Sequence, residues 1–269
     1  MLPWAAGVNG GVDTFPVLSC PPMLRSFASG TLFGARHGSG PPDVLALHGW
    51  ARTHTDFDGV LAGLDAVALD LPGFGATPPP PEVWGAADYA EAIVAVLEED
   101  FDGPPVVLGH SRGGCIAVAL AAAHPDKVSA LVLTGAPLLR RSGFGARRPS
   151  ATYRMLRALH RMGVVRDARM ERLRYARSAP DWRAAEGIMR DVFTRLVNES
   201  YEADLRAVRC PVELVWGDDD TAAPVAVAEE AVTLLSNAKL SRVAGVGHMT
   251  PQEIPGDLRA AVDRQRAGR

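Results

Sequence analysis

The chain has 269 residues, 47% of them hydrophobic and 22% charged, which excludes a disordered or low-complexity protein because enough apolar side chain is present to build a large core. A formal net charge of −3 excludes the basic excess expected of a nucleic-acid protein or an anionic-membrane binder. Of the 28 basic residues only Lys127 and Lys239 are lysine, and the other 26 are arginine.

Residues 1–25 are rich in Gly and Pro, carry no basic n-region, and have their apolar residues broken by Gly, Asn and Asp. They are expected to form a loosely ordered tail and not a secretory signal. Short apolar runs then recur along the chain. Val44–Leu47 ends at His48-Gly49-Trp50. Val67–Leu69 ends at Asp70-Leu71-Pro72-Gly73-Phe74-Gly75. Val106–Leu108 ends at Gly109-His110-Ser111, Ala130–Leu133 at Thr134-Gly135-Ala136-Pro137, and Val212–Trp216 at Gly217. Ala238–Val243 is a weaker sixth. Runs of this kind that stop at Gly or Pro predict parallel strands buried on both faces.

Helical spacing predicts helices between them, over Asp88–Glu99, Gly113–His124 and Val225–Leu235. Strands alternating with helices imply an α/β protein with a mostly parallel twisted sheet covered on both faces. The alternation fails once. Residues 138–207 offer no strand and three helix-like stretches, Ala151–Met162, Asp167–Arg177 and Asp181–Asp204. An excursion this long is usually a lid or a binding element.

Gly109-His110-Ser111-Arg112-Gly113 is a G-x-S-x-G pattern between a strand and an Ala-rich helix. A serine on such a sharp turn is lifted above the sheet edge, and the helix N-terminus favours negative charge developing beside it. Serine is a poor nucleophile alone and needs a base, which needs an orienting acid. His248, after the last strand run, and Asp218-Asp219-Asp220, after Trp216-Gly217, supply candidates in the order serine, acid, histidine.

From about Gly30 to Ala261 the chain resembles the α/β-hydrolase superfamily, on His48-Gly49-Trp50, the Asp70–Gly75 motif, the serine elbow, and Gly217-x-x-Asp220 with Gly247-His248. The resemblance implies an α/β-hydrolase core over residues 26–137 and 208–269 and a helical cap over 138–207. It implies Ser111, Asp220 and His248 as a catalytic triad, Asp220 because Pro224 follows it by four residues. It implies the backbone N–H groups of Trp50 and Arg112 as an oxyanion hole. Asp218 and Asp219 then read as solvated loop carboxylates. His48 reads as a residue fixing the oxyanion loop, and His110 as one packed beside the elbow. The Asp70–Gly75 turn reads as structural, with Phe74 near the pocket. The candidate substrate pocket is His48, Phe74, His110, Tyr153, Leu156, Leu159, Trp182, Met189 and Met249, with Met162 beside them. The competing reading of the cap side chains is that they glue the cap to itself.

The expected activity is hydrolysis of a carboxylic ester of a small to medium substrate through an acyl-enzyme. Relatives that cleave carbon–carbon bonds, thioesters or lactones keep the same triad. A receptor or binding module with little turnover is the reading from another class. Serine at position 111 disfavours members that use an aspartate nucleophile, and a cap without lysine disfavours hydroxynitrile lyases. No cofactor, metal or nucleic acid is expected. Cys20, Cys115 and Cys210 lack metal-ligand spacing and read as free thiols, and no apolar run is long enough to span a bilayer. These features imply a soluble cytoplasmic protein, monomeric or homodimeric.

Residues 138–207 hold 16 arginines and eight acids, a formal +8, and the remainder holds 12 basic and 23 acidic residues, a formal −11. The near-neutral total therefore conceals a basic insertion on an acidic core. Solvation and docking of the cap account for this, and steering of anionic substrates is the sharper alternative.

Overall fold

The computed structural model describes residues 23–140, 151–170 and 180–268. Eight strands run in chain order: β1 (Met23–Phe27), β2 (Leu32–His37), β3 (Val44–Leu47), β4 (Ala66–Asp70), β5 (Val106–His110), β6 (Ala130–Thr134), β7 (Val212–Gly217) and β8 (Ala238–Val243). They form one sheet in the order β1-β2-β4-β3-β5-β6-β7-β8. The pairings β1–β2 and β2–β4 are antiparallel, and every other pairing is parallel. The helices are α1 (Asp58–Leu61), α2 (Ala86–Asp100), α3 (Arg112–Ala123), α4 (Ala151–Arg161), α5 (Pro180–Ala184), α6 (Met189–Leu196), α7 (Glu202–Ala207), α8 (Val225–Leu234), α9 (Thr250–Glu253) and α10 (Pro255–Ala267).

The continuous apolar runs become strands because both faces of the sheet are covered. Leu45, Leu47, Val67, Leu69, Val107, Leu131 and Leu133 point into one core with Tyr89, Ile93, Ile116, Leu120 and Ala228. Val44, Ala46, Ala66, Ala68, Val106, Leu108 and Val132 point into the other, against Phe57, Leu61, Leu258 and Val262. Successive side chains thus serve opposite layers, as the period of two in a strand requires. No helix among the described residues is long and apolar enough to cross a membrane.

Three elements depart from expectation. β1 begins at Met23, inside the span expected to be tail, and β2 lies beyond it. Four of the five β1 residues are exposed, so this edge strand has no buried face to leave an apolar signature. The helix α10 went unread, although Pro255 opens it and Leu258, Ala261 and Val262 recur at helical spacing. The single helix expected over Asp181–Asp204 is three, α5, α6 and α7. The first break falls at Gly187, whose φ of +50° leaves the helical region. Of the helix expected over Asp167–Arg177, residues 167–170 are helical and the rest lies outside the described residues. No strand interrupts the described part of 138–207.

The sheet carries one buried acid, Glu213 on β7, only 1% exposed. Arg264 on α10 meets it at 2.6 Å, and Gln265 Nε2 donates to it at 3.2 Å. Burial works to raise the Glu213 carboxyl, but these hydrogen bonds outweigh it and hold the group below its ordinary value. A carboxylate depressed in the folded state stabilises above its unfolded pKa, and that contribution is lost as pH falls through the folded value. Arg264→Ala should therefore lower stability by about 2 kcal/mol at neutral pH, less than a fully buried pair because half of Arg264 is exposed. Denaturant melts of both proteins should show the gap closing below the ordinary carboxylate range. A gap that persists at low pH would assign the effect to packing instead of charge.

Candidate active site

Ser111 sits between the end of β5 and the start of α3 at φ +51°, ψ −119°, a conformation a non-glycine residue rarely adopts. Its amide donates to the Thr134 carbonyl at 2.9 Å, tying the turn to β6. The turn can be this tight because α3 begins almost on top of β3. A Cβ on Gly113 would lie 2.0 Å from the Leu47 carbonyl oxygen. The pattern's second glycine is thus required by the close approach of helix to sheet.

His248 Nε2 lies 3.1 Å from Ser111 Oγ, and its Nδ1 lies 2.8 Å from Asp220 Oδ2. The Asp220 side chain is fully buried, and its other oxygen accepts the amides of Ala222 and Ala223 at 2.9 and 2.8 Å. The carboxylate is therefore oriented by backbone before it meets the imidazole. Of its two neighbours, Asp218 pairs with Arg242 at 2.7 Å and Asp219 is exposed.

The loop that carries His248 is held on several sides. His110 Nε2 donates to the His248 carbonyl at 2.8 Å. Glu253 accepts the amides of Gly247 and Met249, at 2.9 and 3.1 Å, on either side of the histidine. Thr134 Oγ1 donates to Thr250 Oγ1 at 2.7 Å in a buried contact. Sequence reading missed Glu253 and Thr250. A Thr-Pro opening followed by Glu is a helix N-terminus signature that could have found them.

The loop after β3 is fixed by His48, which is wholly buried. Its Nε2 accepts the Leu71 amide at 2.9 Å, so its proton is on Nδ1, which donates to the Gly49 carbonyl at 2.7 Å. Burial pushes its pKa down to about 4, so the ring is a neutral bracket between two loops. Asp70 pins the neighbouring turn, accepting the His54 amide and Nδ1 at 2.8 Å and the Ala76 amide at 2.9 Å. Burial pushes the Asp70 carboxyl up, yet these hydrogen bonds outweigh it and leave its pKa lowered. The same Asp70 bond raises that of His54. Phe74, carried by this turn, packs edge-on against Trp50 at 4.8 Å and His48 at 5.6 Å. Phe193 of α6, another residue not read from sequence, also packs against Trp50, at 4.9 Å. Trp50 is followed by Ala51 at φ +55°, one of four non-glycine residues with positive φ among those described.

The pocket candidates divide. His110 is 1% exposed and braces the His248 loop, so it is a buried neighbour and not an open pocket wall. Met189 is buried against the Gly73 turn. Trp182 donates from Nε1 to Thr194 at 3.1 Å and stacks under Arg190, contacts internal to the α5–α6 pair. Leu156 and Leu159 are half-buried on α4, and Met249 is half-buried beside His248. Met162 is 67% exposed. The side chain of Tyr153 lies outside what is described. Beside the elbow is a narrow apolar cleft of about 10 Å³ between Trp50, Phe74, Tyr89, Arg112, Ile116 and Leu196. A concavity of about 580 Å³ opens at the other end of the sheet, around Pro41, Pro104 and Pro211, remote from Ser111.

Comparison with known proteins agrees with this architecture. Residues 44–261 match the profile of the Alpha/beta hydrolase family. A pimeloyl-[acyl-carrier protein] methyl ester esterase of Aromatoleum aromaticum is 30% identical over 251 residues, covering 82% of this chain and 97% of that protein. Lipase LipV of Mycobacterium tuberculosis is 42% identical over 106 residues, 36% of this chain and 39% of its own. Among solved structures, a serine hydrolase involved in carbazole degradation superposes with a TM-score of 0.69 at 22% identity, covering 92% of this chain and 100% of that one. The profile match spans most of the chain, and this chain belongs to the Alpha/beta hydrolase family.

Proposed function

We propose that this chain hydrolyses carboxylic esters of small to medium size through an acyl-enzyme. The observation that carries the reading is the hydrogen-bonded series Ser111 Oγ, His248, Asp220, at 3.1 and 2.8 Å, with the serine at φ +51°. Relatives named as esterases and a lipase support the same bond class.

In this mechanism Ser111 Oγ attacks the ester carbonyl while His248 Nε2 takes its proton. Asp220 stabilises the imidazolium and keeps its Nδ1 proton directed at the carboxylate. The carbonyl oxygen becomes an oxyanion facing the amides of Trp50 and Arg112, whose alignment with developing charge supplies a large share of the rate. The alcohol leaves with the proton from His248. Water, deprotonated by His248, then attacks the acyl-serine, and the acid departs as Ser111 regains its proton. His48 and Asp70 take no proton in this scheme. They hold the loop and turn that present Trp50 and Phe74.

Residues 138–207 act as the cap over this site. Arg195 bonds Asp88 at 3.0 Å and the Val83 carbonyl at 2.6 Å, and Arg112 donates to the Leu196 carbonyl at 3.0 Å. Part of the basic charge therefore docks the helices to the core. Arg154, Arg157, Arg161, Arg166 and Arg169 remain exposed and would draw an anionic substrate. Cys115 and Cys210 are unpaired, in keeping with work in the reducing cytoplasm.

Native protein should be labelled at a single serine by an organophosphonate and should show a burst with p-nitrophenyl esters. Ser111→Ala should abolish both, and Asp220→Asn should reduce kcat on the order of 10³–10⁴-fold. Native protein that takes no label overturns the reading. A graded panel of acyl esters, thioesters and meta-cleavage products identifies the preferred bond. Added salt should lower kcat/KM for an anionic ester more than for its neutral analogue, and equal salt dependence removes steering by the cap.

A further inference from the structure

The histidine inside the elbow motif has a defined task. His110 is the last residue of β5, directly before the nucleophile, and is 1% exposed. Its ring lies 5.0 Å from the His248 ring, tilted by 47°. Its Nε2 is 2.8 Å from the His248 carbonyl oxygen. A carbonyl only accepts, so the Nε2 proton is the one shared and the neutral ring takes a single tautomer. Its Nδ1 is buried with no hydrogen-bond partner among the described residues. A buried imidazole that leaves one nitrogen unsatisfied is costly, and a plain apolar residue would fill the space without that cost. What the imidazole adds is the one donor aimed at the His248 backbone.

We propose that His110 is a positioning residue, its Nε2–H fixing the peptide of His248 so that the imidazole reaches Ser111 and Asp220 together. The inference deepens the proposed hydrolase reading and rests on it for the assignment of Ser111 and His248. The mechanical logic follows from chain distance. Ser111 and His248 are 137 residues apart and lie on different elements, so their 3.1 Å contact depends on how the His248 loop is seated. Glu253 secures the amides flanking His248. His110 secures its carbonyl, and does so from the residue adjoining the nucleophile. Any shift of β5 that moves Ser111 carries the brace for His248 with it, so nucleophile and base move as one unit. Burial, with the nearby His248, holds the His110 pKa down to about 4, so the brace keeps its neutral form at physiological pH.

The test is a pair of near-isosteric variants. His110→Gln keeps an N–H donor on a side chain of similar reach, and His110→Met does not. Misplacement of a catalytic group by a fraction of an ångström to 1 Å lowers turnover steeply. With a p-nitrophenyl ester, His110→Met should lose on the order of tenfold or more in kcat with KM changed by less than about twofold. His110→Gln should stay within about threefold of wild type in kcat. The far-downfield proton resonance of the His248–Asp220 hydrogen bond should persist in wild type and His110→Gln and shift or broaden away in His110→Met. If the methionine variant does not fold, His110→Asn replaces it, because its shorter amide cannot reach the carbonyl. Equal kcat in the Gln and donor-less variants, with the proton resonance unmoved, overturns the proposal. Wild-type protein with no turnover and no serine labelling would defeat the hydrolase reading instead, and the proton resonance would still decide whether His110 seats His248.

Discussion

The structure turns on the close approach of α3 to the sheet at Gly113. A helix that starts within touching distance of the Leu47 carbonyl leaves no room for a side chain there, and it forces the preceding residue into a left-handed conformation. That residue is Ser111. The strain, of order 1–3 kcal/mol for such a residue, is offset by neighbours that fix it. The Ser111 amide is bonded to β6, α3 is buried along most of its length, and β5 is paired on both sides. A serine on a flexible loop would avoid the strain but would not keep its oxygen aimed at one histidine nitrogen. The rigid parallel sheet is thus the device that makes the Ser111 hydroxyl directional.

The same economy governs the other half of the site. Asp220 and His248 sit at the ends of β7 and beyond β8, and nothing covalent relates them to Ser111. Their alignment comes from polar groups that have no better partner. Asp220 is held by two amides, His248 by His110 and by the amides that Glu253 accepts, and the loop before α9 by the Thr134–Thr250 pair. The bonds to Asp220, from His110 and between the threonines satisfy groups that would be costly to bury alone, so there satisfaction and orientation are one requirement.

How far the sequence foretells this differs by element. The strands β3 to β7 were legible because a strand buried on both faces has no polar face to dilute its apolar run, and β8, half-exposed at the sheet edge, left only a weak one. β1 and β2 were not, since an edge hairpin with Met23 and Leu24 exposed leaves no such pattern. Ser111, Asp220 and His248 could be named from motif and chain order, because the turns that hold them need particular residues. Thr134 and Phe193 could not be named with the same ease. Their roles depend on side-chain reach across elements far apart in sequence, which local spacing does not encode. The described part of residues 138–207 was legible as helix but not as a pocket. Trp182 and Met189 stand at helical spacing in the sequence but lie on separate helices, and both pack, Met189 against the Gly73 turn and Trp182 within the α5–α6 pair.

The division of charge acquires a physical meaning in this light. The helical insertion of formal +8 is opposite in sign to the −11 of the remainder, and its described part also buries Met189, Val192 and Leu196 in the core. Arg195 is met by Asp88 and Glu199, and Glu199 in turn accepts the Ala86 amide at the start of α2 and the Tyr201 hydroxyl. The attachment therefore runs through a few directed contacts at the C-terminal end of α6, where Arg112 also reaches the Leu196 carbonyl. Arg112 is the residue after Ser111. Its main chain belongs to the elbow and its side chain to the helical segment. A displacement of α6 therefore bears on the elbow at one remove, and on Trp50 through Phe193 at another. The insertion is thus anchored on the two loops that frame the serine, so its seating and the geometry around Ser111 are set together.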